Sequence, residues 1–204
     1  MTVLPDLINC AYSKGKGGHA MNTAPSIIDT LMSVINQSVQ VLSKPRIETF
    51  ERYKDKGTLR ESIIYVLIAS LITGLLGLGG ASGFWSGMLS TIAGFLVFIY
   101  LVHYVGKVQG GTGTLDSVAY TFALFWAPIN VLFALTSLIL LITPIGIFLL
   151  PLLVAAALLI NIYLAYLAVQ SSMNLHESGK IWVTLGIALL GTLAVSIAVA
   201  LLLN

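Results

Sequence analysis

Charge is scarce in this sequence. Lys, Arg, Asp and Glu make up 9% of its 204 residues and apolar types 57%, whereas roughly a quarter of an ordinary soluble domain is charged. So few charges would not cover the surface of a soluble protein of this size, which excludes that class. The shortage is also uneven, since no Lys, Arg, Asp or Glu occurs at 62–106, 117–176 or 181–204. Cysteine is rarer still: Cys10 stands alone, so no intrachain disulfide forms and redox chemistry says nothing about compartment. His19, His103 and His176 show no metal-ligand spacing, and neither a metal nor a cofactor is expected. A net charge of +2 gives no reason to expect nucleic acid. Residues 1–20 lack an apolar run behind a basic start, so no signal peptide is expected there.

What is present is hydrocarbon. A membrane crossing needs about 20 mostly apolar residues, and the charge-free stretches, cut at their Gly, Pro and Ser punctuation, yield five helices at about 62–80, 84–106, 119–142, 145–169 and 181–203. The least obvious cut is at Thr143 and Pro144, read as N-cap and first helical residue of the fourth span. All ten cations (Lys14, Lys16, Lys44, Arg46, Arg52, Lys54, Lys56, Arg60, Lys107, Lys180) then fall on one side. The positive-inside rule puts that side and the N-terminus in the cytoplasm, and the C-terminus outside it. Six of the eight tyrosines (Tyr65, Tyr100, Tyr104, Tyr120, Tyr163, Tyr166), with Trp182, lie near cytoplasmic helix ends, as an aromatic belt would. The fold class is therefore all-α: a polytopic membrane protein with a five-transmembrane-helix bundle at 61–204, a short amphipathic cytoplasmic segment at 26–60 and a disordered leader at 1–25.

Within that segment Ile27, Ile28, Leu31, Val34, Ile35, Val39 and Leu42 recur at helical spacing. They form a face expected to pack under the bundle, with the membrane interface or a partner as alternatives. A short helix over 46–56, with Ile47, Phe50 and Tyr53 on one side, is expected to be a solvated connector, or else a docking edge. Inside the spans no acid or base lies deep, although proton relays, ion paths and intramembrane catalysts need one; this argues against an enzyme. Ser86 between Gly83 and Gly87 is like the serine motif of intramembrane proteases, but Phe84 replaces its first glycine and no span offers a partner histidine at matching depth. His103 is read as interfacial. Small-residue stripes, Thr184, Ala188, Thr192, Ser196, Ala200 and Ser86, Ser90, Gly94, mark helix contacts, within the chain in preference to between copies. Asn130 and Asn161 are amides at similar depth on adjacent spans, expected to hydrogen-bond each other or, alternatively, to touch a polar substrate. Pro128 leaves the Leu124 carbonyl without its helical donor and should kink the third span, with Asn130 or Thr121 helping to satisfy the backbone.

A glycine-rich turn separates the second and third spans: Gly110, Gly111, Thr112, Gly113, Thr114, followed by the capping oxygens of Thr114, Asp116 and Ser117. The run GGTGTLDSVAYTFALFWAP resembles the turn and following helix of prokaryotic members of the Yip (Ypt/Rab-interacting protein) domain family. KPRIETFERYKDKGTLRESIIYVLIASLITGLL and NIYLAYLAVQSSMNLHESGKIWVTLGIAL are similar to it as well, so the resemblance covers about 44–200. It implies a polytopic membrane adaptor, whose eukaryotic relatives are associated with Rab-type GTPases and vesicle traffic. This chain lacks their Asp-Leu-x-Gly-Pro stretch, which puts GTPase binding in doubt. The reading is a scaffold in the lipid bilayer, expected in a prokaryotic cell membrane, that binds a cytoplasmic or membrane protein partner and is open to homo-oligomerisation. Gly110, Gly111, Gly113, Asp116, His176, Glu177 and Lys180 are its candidate recognition cluster, with a purely structural cap as the preferred alternative. The alternative is a small-solute or ion transporter working through Pro128, Asn130 and Asn161.

Overall fold

The computed structural model describes residues 27–76 and 80–203; the leader expected at 1–25 lies outside them. Contacts divide the chain into residues 1–30, of which only the opening turn of the first helix is described, and a compact unit, 31–204, that holds everything else discussed below. Every regular element among the described residues is an α-helix: α1 Ile27–Ser43, α2 Ile47–Tyr53, α3 Leu59–Leu76, α4 Gly80–Val108, α5 Leu115–Ile142, α6 Gly146–Met173 and α7 Ser178–Leu203. Five of them are long and apolar enough to cross a membrane, with spanning stretches Leu59–Leu76, Thr91–Val108, Leu115–Ile142, Phe148–Met173 and Ser178–Ile197.

Side-chain caps set where several helices begin and end. Thr58 and Glu61 form a reciprocal box at the start of α3: the Thr58 N–H donates to Glu61 Oε2 at 2.8 Å and the Glu61 N–H to Thr58 Oγ1 at 3.3 Å. At the start of α5, Thr114 Oγ1 accepts from the Ser117 N–H at 3.1 Å. The turn after α5 departs from expectation. Thr143 ends α5 instead of opening α6, its hydroxyl donating to the Leu140 carbonyl at 3.0 Å, while Ile145 holds the capping position of α6. We predict that Thr58→Ala, which removes the hydroxyl that accepts from the Glu61 N–H while the residue-58 N–H still reaches Glu61, destabilises the protein by about 1 kcal/mol, seen as a lowered midpoint of thermal unfolding in detergent with the helix content unchanged.

The main helix pairings are α3 with α5, α4 with α7 and α5 with α6. The small-residue stripe serves α4 and α7 within the chain: Thr184 and Ala188 are buried, and Gly94 faces Thr192. Ser86, Ser90 and Ala200 fall outside the described side chains. Polar side chains in the spans turn back on their own helices, as in Thr121 Oγ1 to the Ser117 carbonyl, Thr184 to Lys180 and Thr192 to Ala188. In a solvent that offers no hydrogen bonds this satisfies those hydroxyls, whereas the buried hydroxyls of Ser117 and Ser137 on α5 find no partner. Asn130 and Asn161 also turn back and do not pair: each Nδ2 donates at 2.8 Å to a carbonyl four residues back, of Trp126 and Ala157 respectively. Neither Asn130 nor Thr121 therefore serves the Leu124 carbonyl, and α5 runs on through Pro128.

The core lies toward one end of the bundle. The buried residues of α5 fall between Ser117 and Ala127, while beyond Pro128 Leu132, Leu135, Ile139, Leu141 and Ile142 face outward. The N-terminal arm, α1 and α2, belongs to that packed end. Phe50, fully buried, meets Phe125 edge-on at 6.2 Å, and Phe125 continues through Phe122 to Phe98 in a chain of ring contacts. The segment expected as a solvated connector is thus an anchor: Phe50 and Tyr53 are buried and only its charged side faces out.

Helix length locates the membrane. Helices α5 and α6 have 28 residues each, about 42 Å, against a hydrocarbon core of about 30 Å. Tyr163 donates its hydroxyl to the Pro45 carbonyl at 3.3 Å, with exposed Lys44 and Arg46 on either side of that proline. Charges in those positions do not belong in hydrocarbon. The boundary on the arm side therefore falls near Tyr163, and the ten residues up to Met173 project about 15 Å beyond it as a buttress for the arm. Asn161 then sits just inside the boundary, shallower than the chain ends imply.

Candidate functional site

Three segments distant in sequence are tied together at the arm end. Helix α4 closes in a Schellman turn, with the Gly110 N–H donating to the Lys107 carbonyl at 3.0 Å and the Gly111 N–H to Gly106 at 2.8 Å. Gly110 takes φ 91° there. The chain then runs along the end of α6, where the Thr112 N–H donates to the Met173 carbonyl at 3.0 Å. Gly113 lies so close that a Cβ on it would overlap the Ser172 carbonyl oxygen, and one on Gly111 would meet both the side chain and the carbonyl of Met173.

Asn174 completes the joint. It ends α6 in the left-handed region at φ 53°, a conformation asparagine tolerates better than other residues with a Cβ. Its Nδ2 donates to Thr112 Oγ1 at 2.8 Å, and its Oδ1 accepts from Lys54 Nζ at 2.7 Å. Lys54 also donates to the Ser171 carbonyl at 3.2 Å. A single asparagine thus joins the arm, the glycine turn and the end of α6. Sequence reasoning missed Asn174 and the role of Lys54, although an asparagine just past a long apolar run was a usable C-cap signal.

The recognition residues read from the sequence divide among different tasks. Gly110 is exposed, whereas Gly111 and Gly113 are buried in the joint. Asp116 belongs to a neighbouring one: its Oδ1 accepts from the Leu59 N–H at 2.7 Å, so an acid in the first turn of α5 also caps α3. Glu177 and Lys180 pair at 2.9 Å at the start of α7, both well exposed, and such a pair is worth at most about 1 kcal/mol. His176 beside them is exposed, and His103 is half-buried on α4.

Helix α1 is held by tyrosines. Tyr120 donates to Gln37 Oε1 at 3.0 Å, Tyr53 donates to Gln40 Oε1, and Tyr65 and Ser38 share a hydrogen bond of 3.1 Å. The buried face therefore centres on Val34, Ser38 and Val41, rotated toward the Ser and Gln side of the expected apolar face. Ile28, Met32, Ile35 and Val39 remain exposed as a stripe along the helix.

Within the bilayer zone a cavity of about 560 Å³ opens between α4, α5, α6 and α7. Phe98, Phe122, Phe125 and Trp126 form its wall, with Gly186 and the amide of Asn161 at its side. Asn130 and Pro128 do not border it. Among the described residues no group of three or more His, Cys, Asp or Glu side chains is placed to hold a metal.

Comparison with curated proteins and with solved structures returned no match. The Yip1 domain model matches residues 39–198, from the last turn of α1 through most of α7. That stretch takes in the glycine turn, Tyr53, Tyr65 and Tyr120 and all five spans, and the chain belongs to the Yip1 domain family.

Proposed function

We propose that this protein is a non-enzymatic membrane scaffold whose arm end faces the cytoplasm and presents one fixed, charged surface to a protein partner, in membrane organisation or trafficking. The observation that carries the reading is the Lys54, Asn174 and Thr112 joint, because it holds three segments in a set relation where charged and exposed side chains such as Glu51, Lys56 and His176 gather. From residue 31 on, every described Lys, Arg, Asp and Glu lies at this end, and the positive-inside rule turns such an end to the cytoplasm. A surface fixed in advance avoids the ordering entropy of a mobile tail, estimated at about 1 to 2 kcal/mol per residue.

A solute path through Pro128, Asn130 and Asn161 is the weaker reading. Both amides commit their NH2 groups to their own helices, and the cavity beside Asn161 is walled by aromatic rings.

Photocrosslinking separates these readings. A photoreactive amino acid at Glu51, Lys56 or His176 in native membranes should give a discrete adduct that is absent from a probe at Leu193, and Lys54→Ala, which unties the arm from Asn174 and Ser171, should reduce adduct yield several-fold. Identical patterns at all four probe positions, or adducts indifferent to Lys54→Ala, would reject the scaffold surface.

A further inference from the structure

We infer that the cavity between α4, α5, α6 and α7 is a binding site for one acyl chain of a phospholipid in the arm-side leaflet. Its wall is aromatic and apolar, and an apolar cavity stays dry in preference to taking up water. Its mouth opens sideways between α6 and α7, where Leu158, Ile162, Trp182 and Leu189 are exposed while Phe122 and Phe125 behind them are buried. The mouth faces lipid because it lies on the bilayer side of the boundary set by Tyr163 and Pro45.

Length and depth point to the occupant. Along α7 the lining runs from Trp182 to Thr192, about 15 Å, which is half of a hydrocarbon core of about 30 Å. Trp182 stacks on Tyr166 at 5.5 Å, and Tyr166 OH and Ser178 Oγ share a hydrogen bond of 2.9 Å, so the upper end is at the boundary and the lower end at the midplane. A volume of about 560 Å³ along about 15 Å has room for an extended hydrocarbon chain. Asn161 lines the cavity near the upper end, with its NH2 group committed to the Ala157 carbonyl. The chain fills space that would otherwise leave the rings without contact atoms, and dispersion is the force available for association in a solvent of lipid tails.

Gly186 makes the site testable, since it lines the cavity and a Cβ on it meets nothing within 4 Å. The full chain, purified in mild detergent from native membranes, is expected to keep one phospholipid per copy by native mass spectrometry, and Gly186→Phe to lower that occupancy at least fivefold. A variant with Trp85→Phe and Trp182→Phe leaves Trp126 as the only tryptophan; reconstituted with phosphatidylcholine brominated at mid-chain, its fluorescence should fall by more than half, and Gly186→Phe should remove most of that quenching. Equal lipid retention by wild type and Gly186→Phe overturns the site. So does an unquenched Trp126, a readout that stands even where the filled variant does not fold. A Gly186→Phe variant that loses an oligomer while keeping its lipid would make the groove a contact between copies and overturn the proposal as well.

Discussion

Gly113→Ala should leave little folded protein. The added methyl group would overlap the Ser172 carbonyl oxygen, which is backbone inside a helix and has no rotamer to move into. Relief requires the turn to lift from α6, which would break the Thr112 N–H bond to Met173 and pull Thr112 Oγ1 from Asn174. Overpacking alone costs about 1 to 3 kcal/mol and each lost hydrogen bond about 1 kcal/mol more, so the expected loss is about 3 to 5 kcal/mol, a large part of the stability of an ordinary domain. Gly110→Ala is the control. It has open space around it and is disfavoured only by its φ of 91°, which costs about 1 to 2 kcal/mol. Monodispersity in detergent and midpoints of thermal unfolding should rank wild type, Gly110→Ala and Gly113→Ala in that order. A Gly113→Ala protein as stable as Gly110→Ala would mean that the turn does not rest on α6.

That contrast shows what the sequence could and could not disclose. Gly110 and Gly113 stand in the same motif, and the motif marks the turn between α4 and α5 correctly; what makes Gly113 necessary is a carbonyl 59 positions later, beyond the reach of local pattern. The five spans were legible because hydrocarbon selects composition directly, and their ends differ from expectation by only a few residues, as at Leu115 and Met173. The sides that these helices turn to one another were not legible. Apolar residues surround each span, so periodicity carries no facing information, and equal depth wrongly suggested that Asn130 and Asn161 meet. The amides have an alternative within their own helices, and they take it.

The arm was the harder case for a related reason. Its apolar positions were identified, yet a helix beside a membrane has both the protein and the lipid to pack against, and the two are equally apolar. Hydrogen bonds break the tie. Gln37, Ser38 and Gln40 find Tyr120, Tyr65 and Tyr53, and the apolar stripe of Ile35 and Val39 is left facing away from the bundle. Uncharged polar residues on α1 were therefore its docking signal. The lack of Lys and Arg among them is consistent with burial, because a charge pressed against three phenols would need a partner that the bundle does not supply.

Phe50→Ala is the substitution expected to release the arm. Phe50 has no exposed surface and sits edge-on to Phe125, and removing a buried phenylalanine costs about 3 to 5 kcal/mol through lost contacts and the cavity left behind. Because α2 has only seven residues, too few to be helical on its own, that loss exceeds what the helix can absorb locally. The remaining fastenings of the segment are Tyr53 to Gln40 and Lys54 to Asn174 and Ser171, which close one another's geometry through the same short helix. The expected outcome is local: amide hydrogen exchange should accelerate by two orders of magnitude or more over 47–56, while the spanning stretches of α5 and α6 below Tyr163 keep their protection. Lys54→Ala should produce a smaller acceleration in the same segment, since it removes hydrogen bonds at the rim and leaves the ring in place. If Phe50→Ala instead loosened the whole bundle uniformly, the arm would be part of the folding core of the spans and not a separable platform resting on their projecting ends.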